Sequence, residues 1–254
     1  MRIATLGSGS GGNATLLMDG DEAVLVDCGL SVRQVEARLA TLAVDPVAIR
    51  AVLLTHEHDD HIAGAGAFSR KYGVPLHLSA GTRIAAASAL GQAHACVDIV
   101  PGETFALGVF SVAPVIVPHD AREPCQFVIA AGARRIGVLT DIGQLTTHVV
   151  RHFSALDALM LEFNHEPGLL AASAYPAGLK QRIGGDYGHL SNQQAVTLLE
   201  RIDAPALRHV IAAHLSEKTN TPDCVAGHLS RCLPAHVGWT IATQHAASPW
   251  CVLD

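Results

Sequence analysis

Thr55-His56-Glu57-His58-Asp59-Asp60-His61 closes the apolar run Ala51–Thr55, which reads as a buried strand. Four ligand-type side chains, His56, His58, Asp60 and His61, fall within six residues. The two histidines of a zincin helix stand at i and i+4, so this H-x-H-x-D-H pattern is a different device. A strand end followed by a tight loop can aim His56 and His58 at one metal. Asp60 and His61, entering the next helix, can reach a second. Imidazole nitrogens with a carboxylate oxygen suit Zn²⁺ first, with Mn²⁺ or Fe tolerated. The bland alternative is a polar surface loop rich in histidine, and that density of ligand types after a buried strand disfavours it.

Two metals need further ligands, and the chain repeats the same arrangement. His119 follows the strand expected over Phe110–Val117, Asp141 follows Arg135–Leu139, and His214 follows His209–Ala213. An α/β scaffold collects functional groups just past the ends of its strands. Any one of these residues alone would read as a turn or cap, but together with the loop at 56–61 they read as one constellation.

The surrounding pattern is α/β. Strands are expected at Ile3–Leu6, Thr15–Met18, Ala23–Val26, Pro75–Leu78, Val97–Val100, Thr104–Ala106, Gln126–Ala130, Ala158–Leu161 and Gly238–Ala242. Helical spacing marks the stretch behind Ser31, then Ile62–Tyr72, Gly81–Leu90, Ser173–Ile183, Asn192–Ile202 and Pro222–Leu233. Two mixed sheets inside helices fit this order, read as a single domain over residues 1–254. Gly7-Ser8-Gly9-Ser10-Gly11-Gly12 satisfies G-x-G-x-x-G, with Asp27 downstream. The dinucleotide fingerprint must open a helix, and here a strand follows at once, so the stretch reads as a turn in a β-meander.

Composition narrows the classes. The chain has 254 residues, 49% hydrophobic and 16% charged, enough to bury a core. A net charge of −6 excludes a globally basic nucleic-acid coat but not a local basic rim. Its 15 histidines nearly match its 17 lysines and arginines. Six cysteines without Cys-x-x-Cys spacing read as thiols in a reducing compartment. The N-terminus begins as a strand without an apolar signal region, and the uncharged run from Cys232 to Leu253 carries Pro234 and Pro249. A cytoplasmic protein without a membrane span is expected.

H-x-H-x-D-H followed by a separated His, Asp and His resembles the metallo-β-lactamase superfamily over essentially the whole chain. The resemblance implies a four-layer αββα sandwich and a binuclear site holding two divalent ions, Zn²⁺ foremost. It implies that His56, His58 and His119 hold the first metal, that Asp60, His61 and His214 hold the second, and that Asp141 bridges them. Asp27, in Val26-Asp27-Cys28-Gly29, resembles the family's structural acid behind the metals. Ser8-Gly9-Ser10-Gly11-Gly12-Asn13, Glu162-Phe163-Asn164-His165, Gly188-His189-Leu190-Ser191-Asn192 and His214-Leu215-Ser216 are similar to the YycJ (WalJ) group, related to ribonuclease Z and exonuclease members. That group implies phosphodiester hydrolysis, with DNA favoured as the nucleic-acid substrate.

A hydroxide held between two metals is a nucleophile at neutral pH, and paired metals can hold both oxygens of an in-line displacement. The leaving alkoxide still needs a proton. His189 is the candidate donor, with Glu162 or His165 orienting the relay; His165 could equally be a ligand or a buried structural residue. Lys180, Arg182 and Arg151 are candidate phosphate contacts, against the commoner reading of a solvated helix face. The rival functions are a small-molecule hydrolase of the same fold, acting on a cyclic phosphodiester, lactone or thioester, and a non-catalytic regulatory protein.

Overall fold

The structure is a computed structural model that describes residues 1–253. Its chain folds into two compact units, the first built from residues 1–116, 121–134 and the C-terminal stretch from Thr243, the second from residues 117–120 and 135–242.

The first unit opens with β1 (Arg2–Gly7), β2 (Ala14–Asp19) and β3 (Glu22–Val26), an antiparallel meander. Helix α1 (Val32–Thr41) crosses to β4 (Ile49–Leu53), parallel to β3. Helices α2 (Asp59–Ile62) and α3 (Ala65–Tyr72) lead to β5 (Leu76–Ser79), and α4 (Ala80–Leu90) leads to β6 (Cys96–Ile99), both strands again parallel. A second antiparallel meander follows: β7 (Phe105–Leu107), β8 (Phe110–Ile116) and β9 (Cys125–Ala131).

The second unit carries β10 (Arg134–Leu139) from its second residue on, then α5 (Thr147–His152), β11 (Ala158–Glu162), α6 (Pro167–Ala172), α7 (Ala177–Ile183), α8 (Asn192–Arg201), β12 (His209–Ala213), α9 (Pro222–Cys232) and β13 (Gly238–Ile241). Strands β10 to β13 run parallel in that order. The last strand, β14 (Cys251–Val252), returns to the first unit and pairs antiparallel with β1.

Local chemistry explains these elements. Ser31 and Gln34 form a reciprocal capping box that opens α1, and Ser191 and Gln194 do the same for α8. Val35 and Leu39 on α1 and Phe68 on α3 join Leu25, Val52, Leu76 and Leu78 of the sheet in one buried cluster. Leu17, Val24, Val26 and Leu53 point to the opposite face and are buried as well. Strands buried on both faces read as continuous apolar runs rather than alternations, which is why Ala51–Thr55 and Ala158–Leu161 are legible as strands.

Some boundaries differ from expectation. The single helix expected over Ile62–Tyr72 is two, because Gly64 turns the chain against Leu30 and donates its N–H to the Cys28 carbonyl at 2.8 Å. The helix expected over Ser173–Ile183 begins at Ala177, since Pro176 bars helical geometry in the residue before it. Strands β6 and β7 each lie one residue from the expected position. The short elements α5, α6 and β14 carried too little periodicity to be read. No helix among the described residues is long and apolar enough to cross a membrane. The cysteines described are all free thiols, with Cys28 and Cys125 buried.

Candidate metal and catalytic site

In the first unit the histidine loop rests on Asp27. This residue follows β3 in left-handed geometry, φ 60°, which turns its carboxylate back toward the end of β4. Its oxygens accept from the Thr55 N–H at 2.9 Å and from the Thr55 hydroxyl at 2.9 and 3.0 Å. His61 Nδ1 lies 2.8 Å from Oδ2.

These contacts indicate which ring nitrogen donates. The Thr55 proton goes to the carboxylate, so its oxygen accepts from His56 Nδ1 at 2.9 Å. His61 likewise donates Nδ1–H to Asp27. In the neutral form of each ring, Nε2 then carries the lone pair. An imidazole oriented through its other nitrogen by a hydrogen bond of this kind is the usual support of a metal ligand. His58, at the N-cap position of α2, has its Nδ1 3.0 Å from His56 Nε2.

Asp60 and His61 are held by the glycine-rich turn. Gly9 and Gly12 take φ values of 138° and 136°, and the turn delivers Asn13. The Asn13 amide nitrogen lies 3.2 Å from Asp60 Oδ2 and 3.1 Å from His61 Nε2, while its carbonyl accepts from the Gly9 N–H at 2.8 Å. The motif that resembles a dinucleotide fingerprint therefore anchors the metal-ligand candidates. At Gly29 a Cβ would collide with the Asp60 carbonyl. Gly29→Ala should displace α2 and cost about 1–3 kcal/mol of stability, the usual size of an overpacking penalty. Urea midpoints compared between wild type and variant will measure it.

The second unit supplies the other candidates. His119 Nδ1 donates to the Gly188 carbonyl at 3.0 Å, which leaves Nε2 unprotonated. His214, at φ 55°, lies with Nδ1 3.2 Å from Glu162 Oε1 and within 3.3 Å of the Asn164 amide. Asn164 also donates to the His214 carbonyl at 3.0 Å. Asp141, at φ 50°, is almost wholly buried. Its Oδ1 lies 3.5 Å from His189 Nδ1, 3.6 Å from His214 Nε2 and 3.9 Å from His119 Nε2. These gaps are long for direct hydrogen bonds. Ligand atoms around a tetrahedral zinc ion stand roughly 3.4 Å apart, given bonds of about 2.0–2.1 Å. Asp141, Glu162, His189 and His214 each bring one ligand-type atom within 4.8 Å of the others. Spacing, oriented imidazoles and mixed nitrogen and oxygen donors together fit a divalent metal.

His189 stands at the edge of this group. Its Nδ1 lies 2.8 Å from Glu162 Oε1, and the other Glu162 oxygen accepts from the Leu190 and Ile142 N–H groups at 3.0 and 3.3 Å. Burial by itself would depress the His189 imidazole pKa, but the Glu162 and Asp141 carboxylates outweigh it and hold the pKa above its ordinary value. Glu162, fully buried, shifts the opposite way: burial opposes ionisation, and His189 and His214 overcome that penalty. His165 makes no such contact. Its Nδ1 is buried without a hydrogen bond, and burial lowers its pKa. Its carbonyl accepts from the Asn192 N–H at 2.9 Å. Of the two candidates for orienting His189, Glu162 is the one in contact.

The basic candidates are spoken for in part. Arg182 Nε lies 2.5 Å from Asp120 Oδ2, and Lys180 donates to the Ala171 carbonyl at 2.6 Å. Sequence reasoning quoted Asn13, Asn164 and Asn192 within motifs but gave the asparagine amides no role. Asn192 and Asn220 bond each other at 2.8 and 3.0 Å, Asn220 donates to the Phe163 carbonyl at 2.8 Å, and Asn192 donates to Glu166 at 3.0 Å. Asn192 closes a quoted motif and Asn220 lies four residues past another, but an amide carries no spacing signal of its own.

Comparison with known proteins places these observations in context. The profile of the beta-lactamase superfamily domain matches residues 22–214. The chain is 28% identical over 235 residues to the exodeoxyribonuclease YycJ of Bacillus anthracis, covering 92% of this chain and 89% of that one. It is 31% identical over 223 residues to the exodeoxyribonuclease WalJ of Streptococcus pneumoniae, covering 86% and 83%. Among solved structures, the metallo-beta-lactamase fold protein YhfI of Bacillus subtilis matches with a TM-score of 0.74 at 16% identity, over 98% of this chain and 99% of that chain.

Proposed function

The chain belongs to the metallo-β-lactamase superfamily and is a metal-dependent hydrolase, and from that premise we propose that it is a binuclear phosphodiesterase acting on DNA. The observation that carries this reading is the near full-length similarity to two exodeoxyribonucleases. Following the family pattern, we assign His56, His58 and His119 to one metal, Asp60, His61 and His214 to the other, and Asp141 to both. Zn²⁺ suits this donor set best, being bound readily by imidazole and carboxylate together. Such ions, when bound, supply Lewis acidity and water of lowered pKa.

The chain's own residues do the rest. Asp27 and Thr55 fix the ring orientation of His56 and His61, and the Gly188 carbonyl fixes that of His119. His189, partly exposed and backed by buried Glu162, is positioned to hand a proton to a departing alkoxide. His165 takes a structural part in this scheme, tying the end of β11 to the start of α8 through its carbonyl. The free thiols suit a reducing compartment, and we place the protein in the cytoplasm.

The test is an assay of metal-reconstituted protein on labelled single- and double-stranded DNA and RNA, beside bis-p-nitrophenyl phosphate and nitrocefin. DNA should be degraded, and the phosphodiesters should turn over far faster than nitrocefin. Efficient nitrocefin hydrolysis with no phosphodiester activity overturns the reading, and a marked preference for RNA overturns its DNA part.

A further inference from the structure

Residues 184–188, Gly184-Gly185-Asp186-Tyr187-Gly188, form a short loop between α7 and His189, all within the second unit. Its backbone is fastened at several points. The Gly188 carbonyl accepts from His119 Nδ1, and the Tyr187 carbonyl accepts from the Asp120 N–H at 2.9 Å. The His189 N–H donates to the Ile183 carbonyl at 2.8 Å. A Cβ on Gly143 would collide with the backbone of Asp186 and Tyr187, so the loop also lies directly against the turn that follows Asp141. A Cβ on Gly188 would strike the carbonyls of Arg182 and Ile183.

The side chain of Tyr187 is treated quite differently from this clamped backbone. It is 61% exposed, against 36% for Trp239, and its hydroxyl makes no hydrogen bond among the described residues. Nothing in the packing of the unit accounts for it. The ring stands at the rim of a cavity of about 220 Å³ lined also by Asp120, Gln181, Arg182 and Asp186. The Arg182 guanidinium, the cavity's cation, is paired with Asp120, and Asp186 adds a second acidic residue to the lining, so the cavity has no surplus positive charge. A cavity without surplus positive charge is poorly built for a bare phosphate. It offers two planar groups, a phenol ring and a guanidinium, of the kind on which nucleobases stack.

We propose that Tyr187 is a stacking platform for a nucleobase of the substrate strand, seated in this cavity beside His189 and His119. The inference rests on the reading of the protein as a nuclease and adds how the strand is held. Because the loop is already fixed by its backbone, stacking on Tyr187 orders little beyond the ring itself, which favours affinity. Every base has a π-face, so the contact is tolerant of sequence.

The test is a cycle between protein and substrate. KM and kcat are measured for wild type, Tyr187→Ala and Tyr187→Phe on a single-stranded DNA oligonucleotide. The same measurements are made on an oligonucleotide of equal length with three abasic residues at each end. With intact bases, Tyr187→Ala should raise KM about 5- to 150-fold, the range of one base–aromatic stack, and Tyr187→Phe should restore it. With abasic ends the penalty of Tyr187→Ala should shrink at least fivefold. Equal penalties on the two substrates, or no penalty on either, overturn the platform while leaving the nuclease reading in place. Failure of the wild type to cleave either oligonucleotide overturns the nuclease reading, and the platform with it.

Discussion

Asp141→Ala should release metal from both positions and reduce hydrolysis roughly 10³-fold or more, since a metal contributes several kcal/mol of transition-state stabilisation. The reason lies in how Asp141 is placed. It is almost wholly buried at the end of β10, with one oxygen 3.5–3.9 Å from three imidazoles. A ligand shared by two ions leaves both under-coordinated when it is lost. His214→Ala should therefore keep one ion under conditions in which Asp141→Ala keeps none. Elemental analysis of both variants after identical dialysis and reconstitution reads this directly. Wild-type stoichiometry in Asp141→Ala, or parallel losses in the two variants, excludes a bridging role.

His189→Ala should keep its metal and its fold yet lose about 10²–10⁴-fold in turnover on DNA, the usual contribution of a general acid. The effect should be much smaller on bis-p-nitrophenyl phosphate, whose phenolate departs without a proton. The geometry makes this a sharp test, because two roles compete for the same ring. His189 Nδ1 lies 2.8 Å from Glu162, as an oriented acid requires, but it also lies 3.5 Å from Asp141, within the spacing of a ligand. Loss of a ligand would strip metal and depress both substrates alike. Metal content, thermal midpoint and the ratio of the two rates, taken on one variant, separate the cases. An unchanged ratio with normal metal excludes His189 as the acid.

The α/β class and the ligand candidates were legible because each depends on local pattern. Buried parallel strands print as apolar runs, and ligands print as histidine and aspartate just beyond them. What the sequence hid depends on contacts distant along the chain. Asn13 reaches Asp60 and His61 across 47 and 48 residues, and the Gly188 carbonyl reaches His119 across 69. Glu162 and His165 looked equally suited to orient His189. They part because Glu162 is the last residue of β11 and turns its carboxylate toward the chain entering α8, whereas His165 lies beyond the strand. Helix boundaries failed where one residue overrode a longer periodicity, as Gly64 and Pro176 did.

Asp27, Asp141 and His214 all adopt left-handed backbone conformations, at φ 60°, 50° and 55°. For residues with a side chain this geometry costs about 1–2 kcal/mol, least for aspartate and asparagine. Selection for fold and selection for activity therefore pull in opposite directions at these positions. Glycine there would relax the main chain while deleting a side chain assigned above to the proposed site. At Asp141 and His214 such an exchange can leave a well-expressed, heat-tolerant and inactive protein, whereas at Asp27 it also strands the buried Thr55 and His61 donors. A library of variants ranked by solubility or thermal endurance alone would enrich those inactive molecules. Ancestral or consensus stabilisation of this enzyme must accordingly hold the three positions constant and seek its gains elsewhere, for instance at Ala43 and Ala155, which share the left-handed geometry at φ 55° and 56°.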